Sequence, residues 1–261
     1  MRVFILHVIL VSVCDFFGIK RRICCYALWD GNSNTLRDAI PAAKEKKMFN
    51  ACLFDLDGTL LDTVESIAYV ANKVLAHYGL SPQPIADFNY FAGDGADELM
   101  RRCIRAAGGD FSYLEEARKM YRDLFAKDPL YRVQAYEGIV ETLQRLKSRG
   151  VKLAVCSNKP HAAAMGAIHG MFDDDMFDVI QGQVPSIPCK PAPDIAVMIA
   201  GKLGVSVQEC MYVGDTDTDM QTGNAAGMYT VGVLWGFRDR AELERNHACQ
   251  IIEHPKELLG I

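Results

Sequence analysis

Residues 51–54, Ala-Cys-Leu-Phe, form a short, wholly apolar run that stops abruptly at Asp55. A run this short, bounded by polar turn residues, predicts a strand buried on both faces. Over residues 63–78 the period changes. Val64, Ile67, Val70, Ala71, Val74 and Leu75 recur at intervals of three and four, which predicts an amphipathic helix, and Gly79 ends it. Beyond residue 138 the two patterns alternate. An amphipathic helix over 139–149 is stopped by Gly150, followed by a strand over 151–156, a helix after Pro160 and a weak strand over 177–180. A helix opened by Pro193, a strand over 210–213, a helix over 218–226 and a strand over 229–234 complete the series. Apolar strands alternating with helices predict an α/β fold with a doubly wound parallel sheet, a Rossmann-like core.

Between Glu65 and Ala135 the rhythm breaks. Helical patterns over 96–107 and 113–127 occur there without a convincing strand, so residues 66–135 are expected to form an inserted all-helical cap. The α/β core then comprises 48–65 and 136–261. Residues 1–47 do not match this organisation. The apolar run over 3–13 is interrupted by His7 and Ser12, followed by Lys20, Arg21 and Arg22, and is shorter than the roughly 20 residues that span a bilayer. Only Arg2 precedes it and no A-x-A-like cleavage site follows, so a signal peptide is disfavoured. The expectation is a non-functional or poorly ordered extension, with the working domain beginning near Met48.

Length and composition narrow the function. With 261 residues the chain has room for one core and one insertion. A formal net charge of -5 lacks the basic field expected of a nucleic-acid binder. Nine cysteines without a C-x-x-C pair read as reduced thiols of a cytoplasmic protein. No membrane or nucleic-acid partner is expected, and the chain is read as a monomer or homodimer.

Polar residues with chemical potential fall where the strands end, the place where open α/β sheets bind ligands. The first group is Asp55-Leu56-Asp57-Gly58-Thr59-Leu60, and the last is Gly214-Asp215-Thr216-Asp217-Thr218-Asp219. Close carboxylates repel one another unless a cation compensates, and oxygen ligands of this kind suit magnesium. A calcium loop would need a glycine and a distal glutamate that are missing here. Between these groups stand Ser157-Asn158-Lys159-Pro160 and Cys189-Lys190-Pro191-Ala192-Pro193-Asp194. Alone, Ser157 reads as a helix cap and Lys190 as a solvated surface residue. Together, two carboxylates, a hydroxyl, a lysine and a distal acidic cluster match the needs of phosphoryl transfer through an aspartyl-phosphate.

These four motifs, in this order, resemble the haloacid dehalogenase-like hydrolase superfamily. Within it, Phe91-Ala92-Gly93-Asp94-Gly95-Ala96, leading to Leu99, Arg101 and Arg102, and the K-P-A-P-D segment resemble phosphoglycolate phosphatases. The resemblance implies that Asp55 attacks phosphorus and that Asp57 serves as acid and base. It also implies that Mg2+ is held by Asp55, the Asp57 backbone carbonyl and Asp215. Ser157 and the Asn158 backbone would bind phosphoryl oxygens, Lys190 would neutralise developing charge, and Asp219 would orient Lys190 or metal-bound water. Dehalogenases of the superfamily carry an aromatic residue where Asp57 stands, so the resemblance argues against dehalogenation.

The expected activity is therefore a phosphatase acting on a small-molecule phosphomonoester, 2-phosphoglycolate first. Gly93 and Gly95 would contact the substrate from the cap, with Arg101, Arg102, Arg105 and Arg132 as candidate carboxylate binders. A sugar phosphomutase or a pyrophosphate/nucleotide phosphatase remains compatible with the motifs. A non-catalytic phosphate-sensing module would tolerate loss of Asp57 or Lys190, and both are present.

Overall fold

The computed structural model describes residues 49–128 and 130–261. The expectation for residues 1–47 lies outside the described residues. In chain order the first elements are β1 (Ala51–Phe54), β2 (Leu61–Asp62), α1 (Val64–His77), α2 (Phe88–Phe91), α3 (Ala96–Ala106), α4 (Leu114–Lys127) and β3 (Gln134–Ala135). They are followed by α5 (Ile139–Ser148), β4 (Lys152–Pro160), α6 (His161–Met171), β5 (Val179–Gln183), α7 (Asp194–Leu203) and β6 (Cys210–Gly214). The remainder is α8 (Asp217–Ala225), β7 (Tyr229–Val233), α9 (Arg240–Arg245) and β8 (Gln250–Ile252).

Six strands form a sheet in the order β5-β4-β1-β6-β7-β8, with every pairing parallel. This is a doubly wound α/β sheet, as the alternation of apolar runs predicts. All four β1 residues are buried because the strand lies mid-sheet, flanked by β4 and β6. The chain runs outward through β4 and β5, then crosses back to β6 on the other side of β1. The connections leaving β1 and β6 therefore diverge and open a crevice at their carboxyl ends. Asp55 and Asp215 stand on its two sides.

Two apolar clusters cover the faces of this sheet. One joins Phe54, Val155, Met211 and Val231 to Ile139, Leu143 and Ile168 of the flanking helices. The other joins Leu53, Ala154 and Tyr212 to Ile195, Ile199 and Leu203 of α7. The helices α1, α3 and α4 supply most of a third cluster, built on Val70, Val74, Leu99, Met100, Ile104 and Tyr121. In α1 the buried residues include Ile67, Val70, Ala71, Val74 and Leu75, the stripe read from the sequence.

Several boundaries need correction. The strand expected over 151–156 continues as β4 to Pro160, so Ser157, Asn158 and Lys159 belong to a strand and not to a loop entering a helix. The β4–β5 register shifts between Cys156 and Pro160, and this irregularity turns consecutive side chains inward where a regular strand would alternate them. The weak strand expected over 177–180 lies at Val179–Gln183. The region expected to lack strands contributes β3, which pairs antiparallel with β2 as a two-stranded ribbon. The sequence reading also passed over α9 and β8, whose apolar stretches are only a few residues long.

Candidate active site

The turn after β1 places Asp55 and Asp57 at the mouth of the crevice. Gly58 makes this possible, because its φ of +89° suits glycine and a Cβ there would overlap the Asp215 carboxylate. Thr59 Oγ1 donates to Asp215 Oδ1 at 2.8 Å, and the Phe237 N–H donates to Oδ2 at 2.8 Å. The loop after β7 takes part as well, since Trp235 Nε1 donates to the Thr59 carbonyl at 2.9 Å. Trp235 and Phe237 thus fix the shape of the acidic site.

Lys190 is 4% exposed, and its Nζ donates to Asp55 Oδ1 and to Asp219 Oδ1, both at 2.7 Å. Asp219 is held from its other side by the start of α8. Thr216 caps that helix, and Asp219 Oδ2 accepts from the Thr216 N–H at 3.1 Å and from its hydroxyl at 2.7 Å. Both Asp219 oxygens are therefore occupied. Asp55 Oδ2 has no hydrogen-bond partner among the described residues.

The electrostatics follow from this crowding. Burial pushes the Asp55 carboxyl up to about 7, with Lys190 pulling it down and Asp219 and Asp57 pushing it up. Burial likewise raises Asp215 well above the usual carboxylate range, reinforced by Asp219 and Asp55. Burial alone would lower the Lys190 ammonium, but the Asp219 and Asp55 carboxylates outweigh it and the group is held above its usual range. Carboxylate oxygens of Asp55, Asp215 and Asp219 lie within 4.8 Å of one another. One ammonium among three buried carboxylates leaves negative charge uncompensated, and a hard divalent cation fits that deficit.

Ser157 and Asn158 follow on β4. Asn158 Oδ1 accepts from the Lys190 N–H at 2.8 Å, and Asn158 Nδ2 donates to the carbonyls of Lys190 and Gly93, each at 3.1 Å. Asn158 thus ties the Lys190 loop to the Gly93 loop. Arg238, missed in the sequence reading, adds a donation from Nη2 to the Ala92 carbonyl at 3.1 Å. Asp94, which a nearby substrate carboxylate would repel, turns aside. It accepts from Thr218 Oγ1 at 2.8 Å and pairs with Arg102.

A pocket of about 210 Å³ opens beside these groups. Asp55, Asp57, Ser157, Asn158 and Lys159 line one side of it, and Gly93, Gly95, Ala96, Leu99, Tyr121 and Phe125 line another. Gly93 and Gly95 therefore face the same space as the carboxylates. Of the expected carboxylate-binding arginines none lines it. Arg101 pairs with Glu98, Arg102 with Asp94 and Glu98, and Arg132 with Glu65, while Arg105 lies over the Phe111 ring. Three of the four thus find nearer acids, the usual fate of exposed arginines.

Residues 52–233 match the sequence model of haloacid dehalogenase-like hydrolases, a span that includes all four motifs. The chain belongs to that family. Among curated relatives, the phosphoglycolate phosphatase of Yersinia pestis is 28% identical over 215 residues, covering 82% of this chain and 93% of the relative. That of Rhodospirillum rubrum is 32% identical over 197 residues, covering 73% and 81% respectively. A crystal structure from Lactobacillus delbrueckii subsp. bulgaricus, provisionally named a phosphoglycolate phosphatase, superposes with a TM-score of 0.77. It is 27% identical and covers 81% of this chain and 97% of its own.

Beside this haloacid dehalogenase-like site lies a buried thiol. Cys156 sits on β4 next to Ser157, fully buried, and burial pushes its thiol up to about 12. A group with that proton affinity carries almost no thiolate at neutral pH. Cys156→Ala should therefore keep its rate within about threefold of the parent, since no chemistry passes through sulfur. Steady-state kinetics on folded variant checks this, and inactivation would implicate the thiol.

Proposed function

We propose that this chain is a magnesium-dependent phosphatase that hydrolyses a compact, carboxylate-bearing phosphomonoester, 2-phosphoglycolate first, through an aspartyl-phosphate on Asp55. The observation that carries the reading is the convergence of Asp55, Asp57, Ser157 and Asn158 on one small pocket, with Lys190 bonded to Asp55 behind it. Residues 66–135 serve as the cap that closes the pocket, on a core of 48–65 and 136–261.

Asp55 attacks phosphorus through Oδ2, the oxygen that Lys190 leaves free. The bond from phosphorus to the ester oxygen breaks, and Asp57 delivers a proton to the departing alkoxide. Asp57 then takes a proton from water as that water attacks the phosphorus of the aspartyl-phosphate, which releases phosphate and restores Asp55. Ser157 and the Asn158 backbone hold phosphoryl oxygens, and Lys190 offsets the charge that develops near Asp55. Asp55, the Asp57 carbonyl and Asp215 would hold Mg2+, while Asp219 keeps Lys190 in place. The ion would supply positive charge against the phosphoryl oxygens.

The size of the pocket supports the compact substrate. Its volume of about 210 Å³ is below the roughly 300–1,000 Å³ usual for small-molecule sites, and the loop carrying Gly93 and Gly95 lines it. The kcat/KM for 2-phosphoglycolate should exceed that for glucose 6-phosphate by at least about tenfold, or about 1.4 kcal/mol of transition-state binding. A magnesium-dependent screen of phosphate release across phosphomonoesters tests this. Interconversion of β-glucose 1-phosphate and glucose 6-phosphate would replace the phosphatase by a mutase. Faster hydrolysis of pyrophosphate or nucleotides would retain the mechanism and overturn the substrate.

A further inference from the structure

Lys159 has no part in the chemistry above, yet it is one of the most constrained cations in the molecule. Its side chain is 5% exposed, and its Nζ lies 2.8 Å from Asp57 Oδ1 and 4.2 Å from the centre of the Phe125 ring. An ammonium has three donors, and Asp57 is its only hydrogen-bond acceptor among the described residues. The irregular end of β4 is what brings it here. Gly182 on β5 lets the strand approach, because a Cβ at that position would overlap the Lys159 carbonyl.

The rest of the pocket makes this cation conspicuous. Lys190, the deeper lysine, is saturated by two carboxylates at 2.7 Å and is not on the pocket wall. Arg122 reaches the rim but is 41% exposed at its side chain and already paired with Asp97. The helices α3 and α4 contribute Leu99, Tyr121 and Phe125 to the lining, beside Arg122 and Asp123. A buried ammonium on the pocket wall, with one carboxylate partner and donors to spare, is a site for a further anionic group.

We infer that Lys159 is the specificity-determining residue that receives the second anionic group of the substrate, a carboxylate borne a few atoms from the phosphoryl group. This rests on the phosphatase reading and deepens it. The phosphoryl group is gripped by Ser157 and Asn158, and the carboxylate lies on the adjacent residue of the same strand. Spacing along β4 thus selects short phosphorylated acids. Phe125 holds the ammonium in the pocket from the cap side, so the recognition site is complete only with α4 in place.

Binding of phosphonoacetate and of ethylphosphonate, which keeps the phosphonate but lacks the carboxylate, measured by calorimetry with magnesium present, tests this without turnover. The parent protein should bind phosphonoacetate at least about tenfold more tightly than ethylphosphonate. Lys159→Met should weaken phosphonoacetate by about 30-fold, the scale of one charged hydrogen bond, while ethylphosphonate changes by less than about threefold. Lys159→Arg should restore part of the loss, and thermal unfolding of each variant confirms that it is folded.

Equal loss for both ligands would overturn the inference and leave Lys159 as a positioning residue for Asp57. Equal affinity of the parent protein for both, or no loss in Lys159→Met, would overturn it as well. Failure of the phosphatase reading looks different: the parent protein would release phosphate from no phosphomonoester, whatever the binding comparison shows.

Discussion

Asp55→Asn should lower kcat by at least about 10⁴-fold, the scale at which loss of a covalent nucleophile removes the catalysed pathway. An amide oxygen is a weak nucleophile and a weaker metal ligand than a carboxylate. The substitution keeps the shape of the side chain and its ability to accept from Lys190, so the protein should remain folded. Asp57→Asn should cost less, about 10² to 10⁴, the usual range for a general acid/base. The two variants should also differ in what accumulates. With Asp57 unable to activate water, substrate phosphate should remain on the protein as a hydroxylamine-labile label at Asp55, visible by mass spectrometry. A fully active Asp55→Asn variant, or a label on another residue, would refute the assignment of the nucleophile.

The parts of this site that were legible in the sequence are those where a motif follows a buried strand. Asp55 and Asp215 could be placed because β1 and β6 are short apolar runs ending in acids, and parallel sheets put such ends together. Asp219 was placed by its acidic cluster alone; that Thr216 caps α8 and occupies its second oxygen was seen only in the structure.

Lys159 was quoted within its motif and still passed over. Its inward orientation depends on a register shift against β5, and pairing geometry is not written in the local pattern of β4. Arg238 was missed for a related reason. Its contact with the Ala92 carbonyl spans 146 residues, and neither segment alone announces it. Arg101 and Arg102 of α3 failed in the opposite sense. They stood next to the right loop in sequence, but Glu98 and Asp94 lie within one or two helical turns and claim them first.

Lys190→Met should be the most destabilising substitution in the site. Among the described residues it removes the only cation bonded to Asp55 and Asp219, and it leaves two buried carboxylates facing each other. Breaking one side of a buried ion pair costs about 3–5 kcal/mol, which for a chain of this size lowers Tm by the order of 10 °C. The effect should depend on pH with a definite sign. In the parent protein the folded-state pKa of Asp55 is raised from 3.8 to about 7. The native state then holds a proton that the unfolded chain has released, so this contribution to stability is complete below about pH 4 and is lost as pH rises through 7.

Glu98 and Asp123 shift downward, so their contributions change only below their ordinary value near pH 4 and do not mask this window. Lys190 restrains the rise of Asp55, and without it the carboxyl goes higher and the loss extends to more alkaline pH. Metal-free Lys190→Met should therefore lose more Tm between pH 5 and pH 8 than the metal-free parent protein. Magnesium should recover part of that difference at pH 8 and little at pH 5, where protons already do the neutralising. Turnover should fall at least about 10²-fold even when the variant is folded at low temperature, because the charge opposed to the phosphoryl group is gone. A variant that melts within 2 °C of the parent protein at both pH values, roughly the shift from less than 1 kcal/mol, would show that Lys190 is not the counter-charge of this cluster.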